Sequence, residues 1–377
     1  MRRSKQRILA ALLAGMTCLF SLGTLAETTP IVLRTDAYKD LGFIVDAPVI
    51  LPEGYTQGGG LPTLNAQLPG LLDRIQPEWF NESGIAGTED QIVSERLQRV
   101  TRFADGSELS VWEGNSFGYK DAAEKFMYIH GIGVMARLRS MSYPREKGEA
   151  LTSTELSSVT LEDATAQVIA LMARIGLTVR PVHALDLDIE RIRRLDNAYN
   201  LSMRGHPGQP DLQYDFDALA EEDECYYLVF CGEANGVPIL EDWYTARDTE
   251  SSIGGARTQV TVGQNGIVYL SQSGPYVPDG VAAENASLLT AEEALAVFAR
   301  DNRRVQARHC EKVVEMTLVY APVPDPETDG SFRLEPCWRI YYQLNQAGKA
   351  ALEKDFIPTK CLVLATDGRI LDGGKPD

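Results

Sequence analysis

The sequence predicts an α+β protein, with a strand-rich mixed N-terminal domain followed by two tandem helix-on-antiparallel-sheet units. Two segments that begin at Cys225 and Cys337 each continue as an aromatic and aliphatic run, and the same order of predicted elements surrounds both. In the N-terminal region, short alternating apolar runs are more numerous than helical patterns. The chain has 377 residues, 44% of them hydrophobic, which is enough to bury the cores of two or three domains.

The N-terminus has the pattern of a secretory signal. Four basic residues lie within residues 1–7, and an uncharged stretch of 19 residues follows, from Ile8 to Ala26. Small residues at Thr24 and Ala26 favour cleavage after Ala26, which makes residues 1–26 a signal peptide. The stretch is also long enough to stay in the membrane as an anchor, so cleavage and retention both remain open. Either outcome predicts a protein that is secreted or tethered outside the cytoplasm.

The charge of the chain limits the classes of partner that are expected to bind it. It carries 53 Asp and Glu residues against 36 Lys and Arg, a formal net charge of −17. The N-terminal segment contributes only basic residues, so its removal would make the remainder more acidic. An acidic surface repels phosphate backbones, and nucleic acid is therefore not an expected partner. No second apolar stretch approaches 18 residues, which limits the chain to at most one membrane span.

Residues 27–145 are predicted to form the mixed N-terminal domain. The run FIVDAPVILPEGY is typical of a strand that ends at Pro52. Two alternating runs on either side of Asp105-Gly106 predict a hairpin. Residues 142–153 are polar and contain Pro and Gly, and they are predicted to link this domain to the rest of the chain.

Two units, residues 155–276 and 286–374, are predicted to repeat the order helix, strand, strand, turn, strand. Each begins with a capping box, in which Thr160 or Thr290 is followed three residues later by an acid. A strand, a Cys-led strand and a hairpin closed by Asn-Gly or Asp-Gly then follow in both. A helix followed by antiparallel strands is typical of a sheet with one face covered by the helix.

Five cysteines follow the signal peptide, and their pairing is open. An odd number leaves at least one thiol free or joined to another molecule. Cys225 and Cys231 are about 20 Å apart along one predicted strand, beyond the reach of a disulfide. The spacing allows a bridge among Cys310, Cys337 and Cys361, whereas buried free thiols are the favoured interpretation. No spacing is that of a Cys-x-x-Cys site, so neither a metal nor a cofactor is predicted.

One stretch matches a catalytic motif. Gly114-Asn115-Ser116-Phe117-Gly118 is a Gly-x-Ser-x-Gly sequence, and His183, His206 and His309 are candidate bases. A nucleophile elbow follows a central parallel strand that is apolar throughout, whereas the preceding SELSVW alternates. A Gly-rich loop explains the stretch, and the protein is predicted to have no catalytic residues and not to be an enzyme. A secreted serine hydrolase that uses Ser116 is the alternative hypothesis.

A second pattern has the spacing of a calcium loop. Asp325, Glu327 and Asp329 lie at alternate positions before Gly330, but the twelfth position is Pro336, which has no carboxylate to offer. A polar turn between two strands is therefore predicted. The histidines are never three or four residues apart, which also argues against a metal site.

The tentative binding residues include three aromatic residues in the second Cys-led strand, Trp338, Tyr341 and Tyr342. Most such residues belong to the core of a sheet. If one face of the sheet is open, however, aromatic side chains there would form a binding surface.

The other tentative binding residues are basic. Arg303, Arg304 and Arg308, with Arg300 and Lys312, form the densest basic cluster of this acidic chain. Cations near the C-terminus of a helix balance its dipole, which is the structural interpretation. An anionic partner or ligand is the functional one.

The segments LTAEEAL, VVEMTLVYAPVP, LEPCWRIYYQL and CLVLATDGRIL carry a family resemblance. They are similar to the repeating unit of the YycH/YycI-type envelope regulatory proteins and to the related PepSY-like small domains, and the resemblance covers residues 155–374. The whole chain also resembles uncharacterised exported proteins with a phrase like VDAPVILPEGY. The family resemblance implies a protein without an active site that binds other envelope proteins and tunes a membrane sensor kinase. Family members are tethered by an N-terminal helix, and the cleavage pattern at Ala26 departs from that.

Together these observations predict a non-catalytic exported protein that binds a protein or peptide at the cell envelope, as a regulator or inhibitor. A purely structural envelope component is a further hypothesis. The sequence does not identify the partner.

Overall fold

The computed structural model of the protein describes residues 31–113, 116–121, 155–193, 220–285, 287–301, 310–328, 330–346 and 359–372. Most regular structure in these residues is β-strand, arranged as a seven-stranded sheet, a nine-stranded sheet and a two-stranded ribbon. The sheets form a half-barrel. Among the described residues, no helix has the length and hydropathy needed to cross a membrane. The predicted signal peptide lies outside the described residues.

The seven-stranded sheet is built around a long antiparallel hairpin. Its strands are β1 (Ile31–Thr35), β2 (Ile44–Ile50), β3 (Thr63–Gln67), β15 (Val277–Ala283), β16 (Cys310–Pro324), β17 (Ser331–Leu344) and β18 (Thr359–Leu364). The order is β1-β2-β16-β17-β3-β15, and β18 also pairs with β17. β17 pairs with β3 over its first residues and with β18 over later ones. The β2–β16 pair is parallel.

The nine-stranded sheet is antiparallel. Its strands are β4 (Ile85–Val93), β5 (Arg96–Phe103), β6 (Glu108–Trp112), β7 (Ser116–Lys120), β8 (Val179–Leu187), β9 (Cys225–Ala234), β10 (Val237–Pro238), β13 (Arg257–Gly263) and β14 (Gly266–Ser273). The order is β10-β9-β13-β14-β7-β6-β5-β4, and β8 also pairs with β9. β11 (Tyr244–Thr245) and β12 (Ser252–Ile253) form the ribbon.

In the part of the chain that the structure describes, each of the two large sheets is covered by a helix. α1 (Leu71–Arg74) is a single turn, α2 (Leu161–Ile175) packs on the nine-stranded sheet, and α3 (Ala291–Asp301) packs on the seven-stranded sheet. Short 3-10 turns occur at Lys39–Leu41, Pro77–Trp79 and Glu221–Asp223. The predicted starts of α2 and α3 are confirmed, because Thr160 Oγ1 accepts a hydrogen bond from the Asp163 N–H at 3.0 Å and Thr290 Oγ1 accepts one from the Glu293 N–H at 3.2 Å.

The predicted fold class is wrong. The protein is mainly β rather than α+β, and its sheets are not two tandem helix-on-sheet units that follow a mixed N-terminal domain. Strands β1 to β3 are built into the seven-stranded sheet and β4 to β7 into the nine-stranded sheet. β15, directly after the first predicted unit, pairs with β3 of the seven-stranded sheet. Sequence patterns show which neighbouring strands form hairpins, but the partners on the remaining strand edges are distant in the chain.

Two predicted hairpins are confirmed. Asp105-Gly106 lies in the turn between β5 and β6, and Asn265 lies in the turn between β13 and β14, with Gly266 as the first residue of β14. Gly106 and Gly266 have φ of +89° and +108°, a region that side chains disfavour. Turn chemistry within a few residues therefore decides these hairpins.

A third packed region lies on the face of the seven-stranded sheet that is turned away from α3. Leu240, Tyr244 and Ile253 pack there against Cys337 and Leu362. The chain between β10 and β13 therefore crosses this face. Because β10 and β13 both pair with β9, this segment begins and ends in the nine-stranded sheet. It therefore connects the two sheets.

Candidate functional site

Two of the tentative aromatic binding residues belong to the core. Trp338 is 0% exposed, and its Nε1 donates a hydrogen bond to the Leu289 carbonyl at 2.8 Å. Tyr342 is also buried, with its ring centre 5.2 Å from that of Phe298. Both side chains face α3, which covers this side of the sheet. Trp338 and Tyr342 therefore form no exposed binding surface.

Tyr341 points to the opposite face, because side chains alternate along a strand. Its ring centre is 4.8 Å from the guanidinium carbon of Arg339, two residues earlier. Of the three tentative aromatic residues, Tyr341 alone lies in the region between the sheets.

The basic cluster is described only in part. Arg303, Arg304 and Arg308 lie outside the described residues. Arg300 donates from Nε to the Ala296 carbonyl within α3 at 3.3 Å. Lys312 forms an ion pair with Asp46, with 3.0 Å between Nζ and Oδ2.

Ser116 does not have the geometry of a nucleophile elbow. It begins β7, where it pairs with Trp112 of β6 and Ser273 of β14, both antiparallel. Gly118 of the motif is also within the strand. His183 is four strands away in the sheet order, about 19 Å at ordinary strand spacing. His206 and His309 lie outside the described residues.

The turn that begins at Asp325 is stabilised by hydrogen bonds within the protein. Asp325 Oδ1 accepts hydrogen bonds from the Glu327 N–H at 3.2 Å and from Arg333 Nη2 at 3.1 Å. In the part of the chain that the structure describes, no group of His, Cys, Asp and Glu residues could hold a metal ion.

The five cysteines that follow residue 26 are free and buried: Cys225, Cys231, Cys310, Cys337 and Cys361. This confirms the favoured interpretation of buried free thiols. Burial raises the pKa of Cys231 and of Cys310 to about 12. Protonated, buried thiols are poor nucleophiles and contribute to packing rather than to chemistry.

A cluster of buried charges lies on the face of the seven-stranded sheet that is turned away from α3. Arg339 Nη1 donates to both carboxylate oxygens of Glu241, at 2.6 Å each. Arg339 Nη2 is 3.8 Å from Glu315 Oε1, which accepts a hydrogen bond from Thr317 Oγ1 at 2.8 Å. The stacked Tyr341 ring completes the surroundings of the guanidinium. Arg339 is thus held between two carboxylates and an aromatic ring.

Asp242 extends this cluster to the other sheet. Its Oδ1 is 3.3 Å from Nη2 of Arg257 on β13, and its Oδ2 is 3.5 Å from Nζ of Lys360 on β18. Lys360 Nζ also donates to the Trp243 carbonyl at 2.9 Å. Asp242 therefore joins one strand of each sheet.

Burial dominates the electrostatics of the cluster. It lowers the pKa of His183 and of Lys360, in both cases against the attraction of nearby carboxylates. Burial also disfavours the charged form of Arg339, but Glu241 and the other carboxylates outweigh it and raise the pKa. Each of the three carboxylates described above has a cation within 4 Å. A carboxylate that is held by a cation is a weaker general base than a free one.

These contacts hold the Trp243 segment, which we define as residues 241–244. Glu241 and Asp242 are fixed by ion pairs, and the buried Tyr244 donates from its hydroxyl to the Pro322 carbonyl at 2.6 Å. The Trp243 side chain is 59% exposed, although its carbonyl is bound to Lys360. A segment with three of its four side chains fixed between the sheets therefore projects a large aromatic side chain into solvent.

The sequence analysis missed Trp243. The sequence Glu241-Asp242-Trp243-Tyr244 runs from the loop after β10 into β11 and has no periodicity that would single it out. Its one signal is the pair of acids directly before two aromatic residues. That signal can be interpreted only once the structure shows that Arg339, more than 90 positions away, binds Glu241.

Comparisons with known proteins give information on the fold and none on the function. No family model matches the chain, and no curated protein matches it. The crystal structure of an uncharacterised protein from Eubacterium rectale is similar over 91% of this chain and 94% of that chain, with 12% identity and a TM-score of 0.58. A likeness at this level of identity supports the overall fold and carries no information on activity.

Proposed function

We propose that this is a non-catalytic exported protein that binds a protein or peptide partner at the cell envelope and regulates or inhibits it. The Trp243 segment supports the proposal. Tryptophan is enriched among the residues that dominate binding energy at protein interfaces. A tryptophan on a segment that is already fixed loses little conformational freedom on binding, so more of its contact energy remains as affinity.

Export is supported by the N-terminal pattern rather than by the fold. Basic residues, an uncharged stretch and small residues before Ala26 are the features of a secretory signal. A partner at the envelope also agrees with the resemblance to YycH/YycI-type proteins.

The pairing of carboxylates with cations in the charge cluster favours binding over catalysis. In the cluster between the sheets, each carboxylate is matched to a cation. Ser116 lies in a strand between antiparallel neighbours, so the hydrolase alternative gains no support from its geometry.

Site-specific photocrosslinking tests the proposal. A photoreactive phenylalanine analogue is placed at position 243 in the full chain, produced in its native host, and Val281, a 50% exposed residue of β15, carries the same analogue as a matched control. We expect one discrete crosslinked species from position 243 and not from 281. Purified partner should then bind the Trp243→Ala variant about 10- to 100-fold more weakly than the natural protein.

Two results would contradict the proposal. One is an equal pattern of crosslinks from positions 243 and 281. The other is covalent labelling by a fluorophosphonate probe that is lost in Ser116→Ala, which would favour the serine hydrolase.

A further inference from the structure

One face of the central strand β13 is polar although it is buried. Arg257, Gln259 and Thr261 lie on the face that is turned toward the seven-stranded sheet, and all three are buried. The alternate residues Val260 and Val262 belong to the apolar core under α2. A buried polar face lowers stability compared with an apolar one, so it is expected where the protein has a functional site.

The opposing row of the seven-stranded sheet is polar as well. Glu315 of β16 pairs with Tyr341 of β17, which pairs in turn with Lys360 of β18, so the three side chains share one face. Asp242 joins this row to the nine-stranded sheet, because it contacts both Lys360 and Arg257. The side chains of Asp242 and Lys360 are each 17% exposed, so solvent reaches the space between the two polar rows.

His183 extends the polar surface of the nine-stranded sheet. His183 and Gln259 pair with the same residue, Val229, from its two sides and therefore lie on one face. Burial lowers the pKa of His183, and the charges of Glu241 and Arg339 also act on it. The neutral imidazole can donate one hydrogen bond and accept another. We call the region between the rows the inter-sheet site and define it by six lining residues: His183, Arg257, Gln259, Glu315, Arg339 and Tyr341.

Two buried nitrogen atoms of the inter-sheet site have no hydrogen-bond partner among the described residues. They are Nε2 of Gln259, a residue that is 7% exposed, and Nε of Arg339, a residue that is 8% exposed. Buried donors without a partner destabilise a protein, and a bound molecule with acceptor oxygens would remove that cost. The inter-sheet site therefore suits a ligand that brings acceptors.

The charges around the site favour an uncharged ligand. The carboxylates of Glu241, Asp242 and Glu315 each have a cation within 4 Å. A charged ligand would add a buried charge without a partner, which is costly. Hydroxyl groups suit the site because each accepts from a nitrogen donor and also donates to a carboxylate or to the imidazole.

We propose that the inter-sheet site binds a neutral, hydroxyl-rich ligand of the sugar class. Gln259 and Arg339 donate to its oxygens, and the Tyr341 hydroxyl and the His183 ring exchange hydrogen bonds with its hydroxyl groups. The exposed Trp243 side chain takes no part in this site. The inference therefore goes beyond the partner binding proposed for Trp243, and each can fail without the other.

Hexoses with and without charge test the proposal. The full chain is titrated with D-glucose, D-galactose and D-mannose, and each hexose is compared with its 2-amino and 6-carboxyl derivatives by NMR. We expect saturable binding of at least one neutral hexose and at least about tenfold weaker binding of its charged derivatives. The side-chain amide protons of Gln259 should shift with the bound fraction, whereas those of Gln272 should not.

Two variants and a matched control locate the ligand. Gln259→Leu removes a donor and should weaken binding about tenfold or more without lowering the free energy of unfolding, because the lost donor had no partner. Tyr341→Phe removes the hydroxyl, keeps the ring beside Arg339 and should weaken binding similarly. Gln272→Leu should leave the affinity unchanged, because the buried Gln272 lies on the other face of the sheet beside Phe117.

The proposal is overturned if no neutral hexose binds saturably, if the charged derivatives bind as tightly, or if Gln259→Leu and Tyr341→Phe both keep the affinity. A crystal structure grown with the best-binding hexose that shows only ordered water beside Gln259 and Arg339 would also overturn it. That result would assign the polar groups to structural water.

Discussion

Gly255 lies directly against the backbone of Glu241. A Cβ atom at position 255 would be 2.3 Å from the Glu241 carbonyl carbon and 2.6 Å from the amide nitrogen of Asp242. The next residue, Ala256, donates its N–H to the Leu240 carbonyl at 2.8 Å. Gly255 and Ala256, directly before β13, therefore pack against the backbone at the start of the Trp243 segment. This close approach requires a residue without a side chain at position 255.

Substitution of Gly255 should therefore destabilise the protein. We expect Gly255→Ala to lower the free energy of unfolding by about 1–3 kcal/mol, because the contacting atoms are backbone and cannot rotate away. Gly254→Ala is the control, since a Cβ there meets nothing within 4 Å. Urea unfolding measures both, and equal stability of the two variants would show that the close contact is not maintained.

The ion pair between Arg339 and Glu241 should be strongly coupled. Arg339→Met leaves buried carboxylates without their cation and should cost about 3–5 kcal/mol of unfolding free energy. Combining it with Glu241→Met removes one of those carboxylates, so the double variant should be destabilised by less than the sum of the two single ones. Urea unfolding of the full cycle gives the coupling energy, and simple additivity would argue against a desolvated pair.

Replacement by alanine should lower the free energy of unfolding strongly at Trp338 and hardly at Trp243. Trp338→Ala opens a cavity in the core under α3 and should cost about 3–5 kcal/mol. Trp243→Ala removes an exposed side chain and should change stability by no more than about 0.5 kcal/mol. Thermal and urea unfolding of the two variants check this pair, and a large loss in Trp243→Ala would indicate a structural role for that residue.

Asp372 should make stability depend on pH. Burial raises the pKa of this carboxyl to about 6, against the hydrogen bond from the Leu362 N–H at 2.7 Å. The native state then binds more protons than the unfolded state, so the unfolding free energy should fall as pH rises from about 4 to 6. Asp372→Asn removes this loss and should be more stable than the natural protein at pH 7, by up to about 3 kcal/mol.

The comparison at low pH is the internal control for this prediction. Near pH 3 both forms carry a neutral side chain at position 372 and should unfold with similar free energies. A difference between them that does not change with pH would refute the role of the carboxyl.

The cysteines should be unmodified in the purified protein. Because all five are buried and free, the intact mass should not change on reduction, and a thiol reagent should label them only after unfolding. The same mass measurement reports whether cleavage has occurred after Ala26. A mass increase of two hydrogens on reduction would reveal a disulfide.

Local features of the fold were predictable from short stretches of sequence. The capping boxes at Thr160 and Thr290 begin the two covering helices, and the Asp105-Gly106 and Asn265-Gly266 turns close hairpins. Each of these features depends on residues within a few positions of one another. Their free energies are therefore encoded in the sequence before any tertiary contact forms.

Sheet membership and the exposure of Trp243 were decided by the tertiary structure. Lys312 pairs with Ile44, Cys337 lies near Leu240, and Arg339 holds Glu241, across separations that no periodicity reveals. Burial of an aromatic residue likewise depends on what covers its face of the sheet. For that reason Trp338 is buried under α3. The ion pairs of Glu241 and Asp242 hold the Trp243 segment in a position where the Trp243 side chain is exposed to solvent.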